Sequence, residues 1–286
     1  MDRKQNLAFG AALVTVVLWA SAFVGIRSAG ESLSPGALAL ARLAIGVVVL
    51  GGFVAIRREA FPARRDLPLI ALCGALWFAI YNIALNASER HLDAGTAAML
   101  VNVGPVVVAV LAGLILGEGF PRQLLTGCAV AFVGVAVIGL ATSQQGLSTA
   151  GTVLALVAAM AYAGGVVIQK VILRRVSALQ TTFLCCCVGA IVCLPFAPTL
   201  AREAGEADGS ALVWAVYLGV LPTGLAFTTW AYSLARTTAG RLAATTYLVP
   251  PISILLGWIV LGESPPALAY VGGALCLLGV ALARRG

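Results

Sequence analysis

The sequence has little charge and almost no histidine. Of its 286 residues only 10% are charged, and His91 is the one histidine, whereas 61% are hydrophobic. An average globular domain carries about 25% charged residues. A soluble fold of this length could not bury so many apolar side chains, and the composition therefore excludes a soluble globular protein.

The motifs of common enzymes and cofactor sites are also missing. The sequence has no GxSxG, HExxH or phosphate-binding loop in a usable context, and none of its seven cysteines forms a CxxC spacing. All seven cysteines lie in apolar segments, which indicates small buried side chains rather than metal ligands. We expect no enzymatic activity, no cofactor and no bound metal.

Long apolar segments dominate what is present. A helix needs about 20 mostly apolar residues to cross the hydrocarbon core of a bilayer. Ten such segments follow one another with short polar gaps, at 7–26, 36–56, 67–87, 94–116, 123–140, 148–168, 179–200, 211–234, 240–261 and 267–283. The first segment is about twice as long as the apolar region of a signal peptide, and no convincing cleavage site follows it. The pattern predicts an all-α polytopic membrane protein with ten transmembrane helices.

Lysine and arginine predict the orientation, because cytoplasmic loops are enriched in both. If the N-terminus is cytoplasmic, the other side holds only Arg27, Arg90 and Arg202, and Arg42 lies within a span. The cytoplasmic side then holds fourteen: Arg3, Lys4, Arg57, Arg58, Arg64, Arg65, Arg122, Lys170, Arg174, Arg175, Arg236, Arg241, Arg284 and Arg285. Both termini are therefore predicted to be cytoplasmic. The excess of basic over acidic residues reflects the membrane topology and contact with the lipid bilayer. We therefore expect no nucleic-acid partner.

The chain contains an internal repeat. Residues 94–121 match residues 239–266 at an offset of 145 positions (239 − 94). The offset pairs Ala94 with Ala239, Gly95 with Gly240, Pro105 with Pro250, Gly117 with Gly262, Glu118 with Glu263 and Pro121 with Pro266. We expect two five-helix units, 1–141 and 142–286. Because five is odd, the second unit enters the membrane from the opposite side, and such inverted repeats are typical of secondary transporters.

A sparse set of polar and aromatic residues inside the spans is the candidate substrate site. Aromatic residues near span ends often belong to interfacial belts, which accounts for part of the set. Amides in hydrocarbon need partners, so Tyr81, Asn82 and Asn102 are the stronger candidates for a pocket lining. The predicted substrate-binding residues are Trp19, Ser21, Trp77, Tyr81, Asn82, Asn102, Tyr162, Trp230 and Tyr247.

Two repeated pairs suggest structural or gating roles. Pro105 and Pro250 lie in the middle of predicted spans, where proline bends a helix and frees carbonyl groups. They either line a cavity or only kink the packing. Glu118 and Glu263 each follow a glycine at a helix end and precede a proline suited to start the next helix. The carboxylate can accept hydrogen bonds from the free N–H groups at the start of that helix. We favour this corner role over a site for a coupling ion.

Arg42 is the one ionisable side chain that falls clearly within a span. It could extend to the interface, pair with Glu31 or Asp93, or contact a substrate. No aspartate or glutamate lies deep in a span, and no cluster of basic residues lies at mid-depth. We therefore expect an uncharged, aromatic and weakly polar cavity, which suits zwitterionic or neutral amphiphilic molecules.

The two copies end in the same way. The segments LAGLILGEGFP and LGWIVLGESPP each place a Gly-Glu pair before a proline, and glycines follow in the next span. With ten spans in two fivefold copies, the chain resembles the EamA branch of the drug/metabolite transporter superfamily, and within it the YddG-type exporters of aromatic and other amino acids. The resemblance implies a bacterial inner-membrane exporter with a central cavity between its halves.

The expected function is that of a secondary transporter working by alternating access. It would export small neutral or zwitterionic metabolites, with amino acids, including aromatic ones, as the leading substrates. Efflux of amphiphilic drugs or metabolites is an alternative, and a passive channel or a non-transporting scaffold is another. The sequence leaves both a monomer and a homodimer open.

Overall fold

The computed structural model describes residues 3–92, 97, 100–142, 148–261 and 266–285. Within these ranges the chain is helical and contains no strand. Eight helical segments are long and apolar enough to cross a membrane: Gln5–Gly30, Pro35–Arg57, Arg64–Ser88, Arg122–Ala141, Thr149–Ile172, Ala178–Glu206, Gly209–Leu234 and Ala239–Leu256. Gly104–Ile115 and Ala267–Ala283 are shorter apolar helices. The all-helical polytopic fold is confirmed, whereas the count of ten transmembrane helices stays a prediction.

The helix surface is apolar where a soluble protein would be polar. Ile56 is 79% exposed and Leu140 is 75% exposed, which suits contact with lipid chains. The interior holds much of the polar set instead, including Arg42 and Asn82. This distribution is expected when the surrounding solvent is hydrocarbon.

The described residues of the first half contain six helices. They are α1 (Arg3–Gly30), α2 (Pro35–Arg57), α3 (Leu67–Cys73), α4 (Tyr81–Ser88), α5 (Gly104–Ile115) and α6 (Arg122–Thr142). Pro35 lies at the first turn of α2, where its missing N–H costs no helical hydrogen bond.

Eight further helices lie in the described residues of the second half. They are α7 (Thr149–Ile172), α8 (Ala178–Cys193), α9 (Ala197–Glu206), α10 (Gly209–Leu218), α11 (Ala226–Leu234), α12 (Ala239–Ala244), α13 (Val249–Leu261) and α14 (Ala267–Arg285). Ser148 and Ser177 cap α7 and α8 by accepting hydrogen bonds from the N–H groups of Gly151 and Gln180. The expected boundary between the units 1–141 and 142–286 falls at the last residue of α6, and this division stays a prediction.

Two π-helical turns were not expected from the sequence. Gly74–Ile80 joins α3 to α4, and Gly219–Leu225 joins α10 to α11. Each is seven residues long, and the second begins 145 positions after the first (219 − 74), which is the offset of the repeat. A π-helical turn inserts an extra residue into a helix and is often found at functional sites.

The two repeated prolines do not bend continuous helices. Pro105 lies in the first turn of α5, after a turn at Asn102, and Pro250 is the second residue of α13, after the 3-10 segment Thr245–Leu248. A proline ring clashes with the carbonyl four residues earlier and has no N–H to donate. The expected mid-helix kink is therefore replaced by an interrupted helix, and the proline starts the second piece.

Helices α6 and α14 pack closely through glycines. A Cβ atom added to Gly134 would lie 2.6 Å from the carbonyl oxygen of Gly272, and one added to Gly279 would lie 2.6 Å from that of Gly127. The early part of each helix meets the late part of the other, so the two helices run antiparallel. Small residues allow this approach of two backbones in a membrane.

We predict that Gly134→Ala destabilises the protein by about 1–3 kcal/mol, because the new methyl group would overpack a backbone contact. Thermal unfolding of the purified protein in detergent measures the change. Gly52→Ala on α2 is the matched control, since a Cβ atom at Gly52 meets nothing within 4 Å. Equal unfolding temperatures for both variants would contradict the close α6–α14 contact.

Candidate functional site

The candidate site is a cavity in the interior of the helix bundle. Its volume is about 60 Å³, which is below the usual range for small-molecule sites, and the empty space reaches about 650 Å³ only when the open mouth is counted. It is lined by Trp19, Ala22, Phe23, Ile26, Arg42, Trp77, Tyr81, Leu85, Val101, Asn102, Pro105, Tyr162, Phe227, Thr246 and Val249. The lining follows α1 from Trp19 to Ile26 and the third span from Trp77 to Leu85. The cavity therefore extends from mid-helix toward the end where α1 connects to α2.

A second, larger groove lies between α2, the start of α8 and α11. Its volume is about 840 Å³. None of the predicted substrate-binding residues lines it. The smaller cavity is the better candidate, because it brings together aromatic and polar side chains from several helices.

The cavity lining contains five of the predicted substrate-binding residues. These are Trp19, Trp77, Tyr81, Asn102 and Tyr162. Of the residues predicted to have structural or gating roles, Pro105 also lines it. The lining also includes Phe227 and Thr246, which were not among the predicted substrate-binding residues. The repeat offered a signal for Thr246, because it matches Val101 at the offset of 145 and Val101 also lines the cavity.

An aromatic cluster forms one wall of the cavity. The ring centroid of Trp77 lies 6.1 Å from that of Trp19, 5.6 Å from Tyr162 and 5.1 Å from Phe227, all edge to face. Trp230 is fully buried behind this wall, with its centroid 5.0 Å from that of Trp19. Edge-to-face pairs contribute about 0.5–1.5 kcal/mol each beyond their burial. The rings thus hold one another in place.

The π-helical turn Gly219–Leu225 positions two of the lining residues. The carbonyl oxygen of Pro222 accepts a hydrogen bond from Nε1 of Trp19 at 3.3 Å, and Oγ1 of Thr223 accepts one from Nε of Arg42 at 3.0 Å. A widened turn and a proline leave carbonyl groups without their usual helical donors. The indole donor of Trp19 therefore serves a carbonyl beside the interrupted hydrogen-bond ladder.

Four predicted substrate-binding residues lie outside the lining. Asn82 donates from Nδ2 to the carbonyl oxygens of Phe78 at 2.8 Å and Trp77 at 3.4 Å, beside the first π-helical turn. Its amide therefore serves the backbone. The hydroxyl of Ser21 bonds to the hydroxyl of Tyr217. Trp230 is fully buried behind the aromatic wall. Tyr247 is fully buried in a separate hydrophobic cluster.

Arg42 departs most from expectation. Its side chain does not extend outward, since the residue is only 4% exposed, and it forms no ion pair within 4.0 Å of Glu31, whose side chain is exposed. Asp93, the other suggested partner, lies outside the described residues. Because Arg42 lines the cavity, the expectation of an uncharged cavity is wrong. An arginine remains protonated at any physiological pH.

Among the described acidic residues, Glu89 is the one that acts electrostatically on Arg42. It follows α4 at the end of the third span, and its Oε1 is buried with no hydrogen-bond partner in the described part of the chain. Burial raises the pKa of Glu89 to about 8, against the opposing effect of Arg42 and Arg27. This carboxyl makes no ion pair within 4.0 Å with Arg42, so it does not neutralise the guanidinium by direct contact.

Glu118 caps the start of a helix, as expected, but the helix is α12 and not α6, the next one in the chain. Its Oε1 accepts a hydrogen bond from the N–H of Ala239 at 2.8 Å, and its Oε2 accepts one from that of Gly240 at 3.1 Å. These are the first residues of α12, in the other half of the chain, and not of α6. Gly117 and Gly119 have φ angles of 70° and 71°, and these left-handed conformations turn the chain after α5.

The remaining residues with predicted structural or gating roles are Pro250 and Glu263. Pro250 follows the lining residue Val249 and is itself outside the lining. Glu263 lies outside the described residues. Its predicted corner role therefore stays a prediction.

Comparison with known proteins gives the family. The sequence model of the EamA-like transporter family matches residues 6–140 and again residues 149–285. A protein of Streptantibioticus cattleyicolor, described as a probable terminal-alkyne amino-acid exporter, is 38% identical over 99% of this chain and 95% of its own length. A probable amino-acid metabolite efflux pump of Escherichia coli is 26% identical over 98% of this chain and 94% of its own.

Other matches agree with this assignment. An uncharacterized transporter of Bacillus subtilis is 33% identical over 92% of this chain and 86% of its own. One crystal structure shares the fold with a TM-score of 0.78 at 20% identity, and the match covers 97% of this chain and 96% of that one. The chain therefore belongs to the EamA-like transporter family and is a multi-pass transport protein of the bacterial inner membrane.

Proposed function

We propose that the protein exports amino acids through this cavity by alternating access. The observation that carries the proposal is the composition of the lining, in which the rings of Trp19, Trp77 and Tyr162 share one space with the amide of Asn102 and the guanidinium of Arg42. An apolar wall with a few convergent polar groups is typical of sites for small organic molecules. Two relatives, described as a probable terminal-alkyne amino-acid exporter and a probable amino-acid metabolite efflux pump, support it.

The two kinds of lining group match the two ends of an amino acid. An apolar or aromatic side chain can stack against the ring wall, where its surface is removed from water. The charged end requires hydrogen-bonding groups, because an ion without partners in a low-dielectric cavity is costly. Asn102 and Arg42 supply these groups on the lining.

We further propose ten transmembrane helices in two inverted five-helix units, 1–141 and 142–286, with both termini cytoplasmic. Three pairs of features at the repeat offset support the repeat: the two π-helical turns, the interrupted helices that restart at Gly104 and Val249, and the glycine contacts of α6 and α14. The antiparallel packing of α6 and α14 is what inversion requires. Discontinuous helices at the repeat interface are typical of secondary transporters.

In this topology the cavity faces the outside of the cell. Its lining runs toward the connection between α1 and α2, which the charge distribution predicts to be external. At the opposite end, Glu118 ties the end of α5 to the start of α12. The repeat matches Glu118 with Glu263 and Ala239 with Ala94, so the sequence contains the parts of a corresponding contact at the other end.

Counterflow in proteoliposomes tests the transport proposal. Vesicles containing the purified chain are loaded in turn with each of the twenty amino acids, and uptake of the same labelled amino acid is followed with and without proton or sodium gradients. We expect saturable accelerated exchange for at least one apolar or aromatic amino acid. Uptake without saturation or exchange would indicate a channel, and no uptake of any amino acid would refute the proposal.

We predict that Tyr81→Ala raises the half-saturation concentration of the transported amino acid about tenfold, which corresponds to the loss of about 1.4 kcal/mol of binding. The cause is the loss of a ring that lines the cavity 6.3 Å from Tyr162, measured between ring centroids. Tyr270→Ala is the matched control, because Tyr270 lies exposed on α14. If both variants keep the wild-type half-saturation concentration, Tyr81 has no place in the site.

We predict that Glu118→Gln loosens the contact between α5 and α12, since the neutral amide is a weaker acceptor for two N–H groups than a carboxylate. Electron–electron distance measurements between spin labels at Gln123 and Thr238 report the separation. They are made in a background in which the partly exposed Cys187 is replaced by serine. The distance distribution should broaden toward longer values and the folded yield should fall.

Glu206→Gln is the control for this experiment. Glu206 is exposed on α9, so the substitution removes one negative charge without touching the contact. An unchanged distance distribution in Glu118→Gln would show that the carboxylate does not hold the two helices together.

A further inference from the structure

Arg42 has hydrogen-bonding capacity that the protein leaves unused. Its Nε donates to Oγ1 of Thr223 at 3.0 Å. Its two terminal nitrogens, which carry four of the five N–H donors of a guanidinium, have no acceptor among the residues that the structure describes. They belong to a residue that is 4% exposed and lines the cavity.

The described carboxylates do not neutralise this charge. No ion pair within 4.0 Å joins Arg42 to any carboxylate in the described part of the chain. Glu89 influences Arg42 only from a longer distance and does not line the cavity. A buried cation that lacks a bonded anion is strongly destabilising, so a ligand that brings its own anion would gain more here than at the protein surface.

We propose that Arg42 binds the carboxylate of the transported amino acid. Both terminal nitrogens of a guanidinium can donate to the two oxygens of one carboxylate, and this bidentate pairing is among the strongest charge-assisted hydrogen bonds in proteins. The bond from Nε to Thr223 restrains the rotation of the guanidinium. The inference rests on the proposed function and adds the group by which the substrate is recognised.

The rest of the lining narrows the class of ligand. Among the residues that line the cavity, Arg42 is the one charged side chain, and the others are aromatic, aliphatic, hydroxyl or amide residues. A single guanidinium suits a monoanionic carboxylate better than a phosphate ester, which carries more charge. It also repels cationic amphiphiles. The cavity should therefore select molecules that combine one carboxylate with an apolar or aromatic body.

The wild-type protein alone can test the inference. In proteoliposomes, exchange of the best-transported labelled amino acid is competed by the same amino acid, by its primary amide, and by the deaminated acid that keeps the carboxylate. We expect the amide to compete at least about tenfold less well than the amino acid. The deaminated acid should remain the better of the two analogues. An amide that competes as well as the amino acid would overturn the inference.

Substitutions of Arg42 locate the effect at this side chain. Arg42→Gln should raise the half-saturation concentration of the amino acid at least about tenfold while the inhibition constant of the amide changes less than about twofold, so that the preference for the carboxylate disappears. Arg42→Lys, which keeps the charge but not the planar fork, should retain part of that preference. It also provides a folded variant if the glutamine variant is unstable.

Arg202→Gln is the matched control, because Arg202 is exposed on α9 and outside the cavity. It should keep the wild-type preference for the amino acid over the amide. If an Arg42 variant also keeps it, the inference fails while the proposed transport of amino acids stands. If the wild-type chain exchanges none of the twenty amino acids, the proposed function fails, and the inference fails with it.

Discussion

A lipid bilayer offers no hydrogen-bond partners to a polypeptide backbone, and this constraint explains most features of the structure. Each span must satisfy its own N–H and C=O groups, so the described chain is helical throughout. Any interruption has to be repaired by the protein itself. At both π-helical turns a side chain adds a donor, because Asn82 donates to carbonyls at the first and Trp19 donates to a carbonyl of the second.

The same interruptions build the cavity. A helix that pauses at Asn102 and restarts at Gly104 brings Asn102 and Pro105 to the lining. A widened turn at Gly219–Leu225 offers the carbonyl of Pro222 and the hydroxyl of Thr223 to side chains that line it. The repair of the backbone and the construction of the binding surface thus use the same residues. Irregular backbone at membrane depth is tolerated where protein or a cavity surrounds it.

The chain contains few charged side chains, and three of them, Glu118, Lys170 and Arg42, make different contacts. Glu118 accepts hydrogen bonds from two N–H groups at the start of α12, where the helix dipole favours an anion. Lys170 donates to the carbonyl oxygens of Leu234 and Thr237 near the end of α11, where a helix favours a cation. Arg42 differs from both, since its terminal nitrogens have no acceptor in the described chain.

The sequence by itself determined the membrane class, eight of the spans and five of the lining residues, because apolar length and isolated polar groups are local properties that a bilayer constrains strongly. It did not reveal the π-helical turns or the partner of Glu118, and it did not place Arg42 in the lining. These depend on which helices meet. From the sequence alone, the side chain of Asn82 could bond to either a ligand or a carbonyl, and the side chain of Arg42 could lie either at the interface or in the interior. For Asn82 the acceptors are carbonyls of its own preceding turn, beside the first π-helical turn. For Arg42 only the packing of distant helices decided, since it sets which acceptors lie within about 3 Å of each donor.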